Sequence, residues 1–259
     1  MGASVCMIRA IQPEAFMDTR TPRLSPNLLS LVLLAAFAAS AHASLIIGID
    51  LATGEALEAS DVAGLDPASN WNNPTGFSNF TNQALVDNND DATGATATAA
   101  GFTLNGNSFV GVTTDPNTEM FARGIRIDNS GSSSLSVSGL DIVDFPLYDV
   151  ILYMSAISGG SEDTLTMGVT VNGGTAMSFL LDGDASNYSG SFVEATDTTQ
   201  GNYARFAGLT GSDFDLALTS SALNGTLITG MQIVAIPEPS GLLLLLGACG
   251  CLLLRRRRR

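Results

Sequence analysis

The stretch Asp213-Phe214-Asp215-Leu216-Ala217-Leu218-Thr219 decides the fold class. Phe214, Leu216 and Leu218 alternate with Asp213, Asp215 and Thr219, and a period of two belongs to a strand with one face in a core and the other in water. Outward from it, short runs of β-branched and aromatic residues recur between clusters of Gly, Ser, Thr, Asn and Asp, and long amphipathic periodicity is absent. Strands are expected at residues 45–51, 108–113, 120–128, 134–138, 149–156, 164–172, 176–181, 190–195, 202–207, 213–219 and 226–236. Residues 150–154 are apolar on both faces, as in a central strand, and 227–236 are apolar throughout.

About ten strands suit an all-β chain folded as one jelly-roll-like β-sandwich over residues 44–235, whose paired sheets avoid large exposed faces. Between the strands, residues 54–68 are weakly patterned with room for a helical turn. Residues 70–77 make a polar loop holding Trp71, and 87–91 an acidic turn before the Thr/Ala-rich 92–103. No internal repeat of about 20 to 50 residues stands out, which argues against a solenoid.

Charge and residue usage narrow the chemistry. Residues 44–235 hold 22 Asp and Glu against Arg123, Arg126 and Arg205, with no Lys. Such a surface repels nucleic acid and anionic membranes and favours cations or plain solubility. The one histidine, His42, and all three cysteines, Cys6, Cys249 and Cys251, lie outside that region. The domain therefore has no disulfide framework, no His-containing triad, no histidine zinc site and no cysteine nucleophile.

The two ends read as transport signals. Arg20 and Arg23 precede the apolar 28–39, and Ala41-His42-Ala43 is a small-x-small site, so residues 1–43 are expected to be a secretory signal peptide. Its leading region is long from Met1 and ordinary from Met17. At the other end, Pro237-Glu238-Pro239 is followed by an uncharged apolar run at 241–254 and then by Arg255, Arg256, Arg257, Arg258 and Arg259. That run falls short of the roughly 20 residues a span needs, but 233–236 extend it upstream and arginines snorkel. The arginine block fixes it with its end in the cytoplasm.

This tail resembles the PEP-CTERM sorting signal of bacterial surface proteins. The resemblance implies that Pro237, Glu238 and Pro239 are read by an exosortase, a membrane-embedded protease or transpeptidase. It also implies that 241–254 is a temporary transmembrane helix and Arg255 to Arg259 a retention signal. Residues 236–259 would then be a sorting segment, with the secretion machinery and the membrane as transient partners and the cell surface or extracellular matrix as destination. The exported region itself is similar to domains that accompany such tails in planctomycetes and related bacteria, some of them like galactose-binding jelly rolls. That likeness rests on Trp71-Asn72, Tyr148-Asp149-Val150-Ile151-Leu152-Tyr153, Gly201-Asn202-Tyr203-Ala204-Arg205-Phe206 and Gln232-Ile233-Val234.

Two sets of residues are candidate sites. Asp87, Asn89 and Asp91, and separately Asp182 and Asp184, offer the oxygen ligands that Ca2+ prefers, although neither set is an EF-hand. Trp71 between Asn70 and Asn72 presents a ring for a sugar face beside amides for its hydroxyls, with Tyr188, Tyr203 and Arg205 joining if strand order brings them close. A glycan hydrolase needs only two carboxylates about 5 to 9 Å apart, but no pair here has sequence support, so no enzyme is expected. The leading reading is an exported surface or matrix protein with a structural or adhesive role. The alternative is a surface-displayed carbohydrate-binding module for extracellular polysaccharide.

Overall fold

A computed structural model describes residues 44–52, 56–75, 78–104, 115–127, 132–156, 165–181, 188–220 and 226–237, all within the unit His42–Arg259. The described residues form two β-sheets on a shared core. The first contains β1 (Ile46–Asp50), β4 (Thr103–Leu104), β5 (Ile125–Ile127), β7 (Tyr148–Ala156), β11 (Tyr203–Leu209) and β13 (Thr226–Ala235). Its order is β11-β7-β13-β5-β4, with β1 on the same side of β13 as β5 but farther along it. The second runs β10-β9-β8-β12-β6-β3-β2, from β2 (Phe80–Val86), β3 (Ala92–Ala100), β6 (Ser133–Ser138), β8 (Leu165–Val171), β9 (Met177–Leu181), β10 (Gln200–Gly201) and β12 (Phe214–Ser220). Only the β10–β9 pair of this sheet is parallel.

The alternating stretch lies where its period requires. Along β12 every second residue from Phe214 to Ser220 is buried and those between are exposed. Its neighbour β6, and β3 beyond β6, follow the same rule with Ala95, Ala97, Ala99, Ser133, Leu135 and Val137 turned inward. The second sheet thus has one solvated face. The first sheet differs: β13 is buried at all ten positions, and β7 from Tyr148 to Ser155. Ile47, Ile49, Val150, Leu152, Met231 and Ile233 enter the core between the sheets. Their alternates Ile46, Ile151, Tyr153 and Val234 enter a second apolar cluster on the outer face, with Leu57, Ala63, Ala68, Trp71, Met120 and Phe121. A cover on both faces is what makes β7 and β13 apolar throughout.

Several expectations need correction. Residues 120–128 are not one strand: α1 (Pro116–Ala122) ends there and only Ile125–Ile127 is extended. Asp115 caps this helix, accepting from the Thr118 amide at 2.9 Å, and Pro116 starts it with a backbone already suited to a first turn. Residues 190–195 run beside β11 with a single bridge, Glu194 to Tyr203, and are not a strand. Residues 56–73 contain turns and no helix. The strand β3 arises from the Thr/Ala-rich region, and β2 from residues 80–86, where no strand was expected. The expected strand at 108–113, the signal peptide at 1–43 and the sorting segment from Glu238 onward lie outside the described residues. Among those described, no helix is long and apolar enough to cross a membrane.

The last strand ends as expected. Ala235 donates its amide to Leu45 O at 2.9 Å and Ile236 to Leu147 O at 2.8 Å, after which Pro237 is exposed.

Candidate functional site

The cover over the first sheet is tied down by polar side chains that a purely apolar lid would not need. The Tyr153 hydroxyl, on the outer face of β7, donates to Gln232 Oε1 of β13 and accepts the Leu65 amide at 2.6 Å. Gln232 Nε2 donates to Asp66 O at 2.7 Å, and Asn117 Oδ1 of α1 accepts the Gly64 amide at 2.8 Å. Gly64 has φ +97°, and a Cβ there would lie 2.5 Å from the Gln232 amide, so glycine serves both backbone and space. Deep in the same cover, Asp50 is 2 % exposed and accepts the amides of Ala52 and Leu57, each at 3.0 Å. Burial, and more weakly Glu119, raises its carboxyl from 3.8 to about 7.

Trp71 and Asn72 belong to this scaffold, which corrects their expected place in a sugar site. Trp71 is 4 % exposed, lies against Gly48 of β1, and donates its indole N–H to Ala68 O at 2.9 Å. No ring face is left for a ligand. Asn72 Nδ2 donates to Gly48 O and Val86 O, and its Oδ1 accepts the Val86 amide, all at 2.8 Å. The side chain therefore links β1 of one sheet to β2 of the other.

The acidic turn is likewise occupied by its own backbone. Asp87 is buried, and its Oδ1 accepts the amides of Asn89 at 2.7 Å and Asp91 at 3.1 Å, closing the β2–β3 hairpin. Asn89 and Asp91 are exposed beside it. Among the described residues no group of three or more His, Cys, Asp or Glu is placed to hold a metal ion, and Asp182 and Asp184 lie outside them.

Where the cover reaches the edge strand β11, it leaves aromatic rings partly open. Tyr188, Phe192 and Tyr203 are half-buried and follow one another in a row through Phe192, with ring centroids 5.1 Å apart for Tyr188–Phe192 and 6.4 Å for Phe192–Tyr203. Beneath them, Phe121 stacks on Tyr188 at 5.1 Å and 7°, and Tyr153 meets Phe192 at 5.7 Å. The buried Asn202 fixes the segment: its Nδ2 donates to Ser191 O and its Oδ1 accepts the Val193 amide, both at 2.9 Å. Rings packed on buried rings lose little entropy when a ligand arrives.

Polar groups border this strip. Arg205 shares the outer face of β11 with Tyr203; its Nε lies 3.1 Å from Asp149 Oδ2 and its Nη2 3.3 Å from Asp66 Oδ2. Asp149 Oδ1 also accepts the Gly208 amide at 2.9 Å. Burial, then Glu194, pushes the Tyr203 phenol above its usual range; burial, then Asp115, does so for Tyr188. Both hydroxyls therefore stay neutral donors at any physiological pH.

Of the expected sugar-site residues, strand order brings Tyr188, Tyr203 and Arg205 together and sends Trp71 and Asn72 to the interior. Phe192, Phe121, Asp66 and Glu194 were not anticipated. Asp115-Pro116, a helix start, was the one local signal that could have placed Phe121.

No protein-family model matches the chain, and no curated protein does. Among solved structures, it is similar to the CBM35 from Cellvibrio japonicus Abf62, with 15 % identity and a TM-score of 0.33 over 55 % of this chain and 95 % of that one. A family 35 carbohydrate binding module from Clostridium thermocellum gives 16 %, 0.27, 55 % and 92 %. A GH115 4-O-methyl-alpha-glucuronidase with specificity for decorated arabinogalactans gives 11 % and 0.31 over 45 % of this chain, which spans 15 % of that enzyme. At these scores the likenesses carry no argument about function.

Proposed function

We propose that residues 44–235 are an exported, jelly-roll-like domain that binds extracellular polysaccharide through the strip Tyr188–Phe192–Tyr203, giving the chain an adhesive role at the cell surface. The observation that carries this is the strip itself: three contacting, partly exposed rings on a buried aromatic bed, edged by hydroxyls and carboxylates. Sugars present an apolar face of C–H groups and a rim of hydroxyls, and such a surface matches both. The route outward rests on the sequence: a signal at 1–43 and a PEP-CTERM-like segment at 236–259, processed by an exosortase. Exposure of Pro237 directly after the bonded Ile236 supports it, since a protease needs an accessible recognition site next to a folded body.

Affinity electrophoresis of the domain through gels holding different polysaccharides tests the binding. Retardation by at least one polymer, lost in Tyr203→Ala and Phe192→Ala but kept in Trp71→Phe, is expected. Equal retardation of all four proteins would overturn the assignment to this strip.

A further inference from the structure

The charges around the strip point to a narrower ligand class, an inference that rests on the proposed glycan binding. Asp66, Asp149, Glu194 and Asp115 all act on the strip or on the arginine beside it. The cation at this border is Arg205, whose side chain is 37 % exposed and shared between two carboxylates. Its guanidinium is thus already neutralised, and a sugar carboxylate or sulfate approaching it would also meet Glu194 beside Tyr203. The exported region, with 22 acids against three arginines, adds a repulsive field at longer range.

We infer that the strip takes a cationic amino-glycan, a polymer of hexosamines with free amines, in preference to neutral sugars and to polyuronates. A protonated amine on a sugar stacked over Tyr203 gains twice: from the negative faces of the rings and from the Glu194 carboxylate beside Tyr203, to which Asp66 and Asp149, two carboxylates on one arginine, add surplus negative charge. An N-acetylated sugar keeps the stacking and loses the charge. A uronate reverses the sign.

Isothermal titration of the domain with glucosamine, N-acetylglucosamine and galacturonate oligomers of one length, at about pH 6 where the free amines are protonated, separates these cases. The glucosamine oligomer is expected to bind about tenfold or more tighter than the acetylated one in low salt, with the gap closing as salt screens the charges. Glu194→Gln should narrow it, while Asp215→Asn, an equal loss of charge on the solvated face of the second sheet, should not. Equal binding of acetylated and free oligomers, or tighter uronate binding, would overturn the amino-glycan inference and leave glycan binding standing. An equal effect of Asp215→Asn would reduce the preference to diffuse attraction and overturn the site. No binding by any oligomer or by the polysaccharides in the gels would remove both readings.

Discussion

Replacing Trp71 by alanine separates a structural tryptophan from a ligand-binding one. The indole is 4 % exposed, sits on Gly48, and has its centroid 6.3 Å from that of Tyr153. Burial of a tryptophan removes about 200 Å² from water, worth roughly 5 kcal/mol at about 25 cal/mol per Å². The lost N–H adds little, because Ala68 O also accepts the Ala63 amide at 3.0 Å. The expected destabilisation is therefore the cavity value for a large aromatic, about 3 to 5 kcal/mol. Urea denaturation followed by circular dichroism reads it. With a slope of about 2 kcal/mol per molar, Trp71→Ala should lower the midpoint by roughly 2 M at unchanged slope, and Trp71→Phe by well under half of that. A midpoint within about 0.3 M of wild type, with glycan binding abolished, would show an exposed ligand ring and refute the packing described.

Other consequences follow from the same cover. Because the Asp50 carboxyl titrates near 7 when folded and at 3.8 when free, the folded state holds a proton that the unfolded chain releases between those values. Its stabilising share is complete below about 4 and lost as pH rises through about 7. The stability of wild type relative to Asp50→Asn should therefore fall across that window by on the order of 1 kcal/mol per pH unit, and denaturation at stepped pH showing a flat or rising difference would contradict this. At Gly48 a Cβ would lie 2.7 Å from Trp71 Cδ2. Gly48→Ala should cost about 1 to 3 kcal/mol, and clearly less in a Trp71→Ala background, so additive midpoints in the double mutant would refute the contact. For the proposed export route, mass spectrometry of the mature surface protein should find a form lacking Arg255 to Arg259; their presence would defeat processing.

How much of this was legible depended on whether a residue's role was local. The period-two run at 213–219 and the apolar runs at 150–154 and 227–236 gave away strands with one or two buried faces, because burial there is a property of the strand itself. Ala92–Ala100 was silent: its inward residues, Ala95, Ala97 and Ala99, are too small and too weakly β-forming to announce a strand, and are extended because β2 and β6 pair with them. Residues 120–128 misled because Met120 and Phe121 suit a strand as well as a helix that packs on one. Trp71 misled for a related reason: its asparagine neighbours suggested a wet loop, while Asn72 spends its amide joining two sheets. Of the strip, Tyr188 and Tyr203 were legible only as a condition and Phe192 not at all, because the three rings meet only through the course of 188–194 beside β11, a tertiary fact with no period in the sequence.

The central claim, that the open aromatic strip is the ligand face, is tested most directly by following backbone amide NMR signals of the domain as a bound glycan oligomer is added. The account predicts shifts concentrated at residues 188–194 and 203–205, with the Trp71 indole N–H signal unmoved. Shifts centred on residues 87–91, on the solvated face of β12, or on Trp71 itself would contradict it.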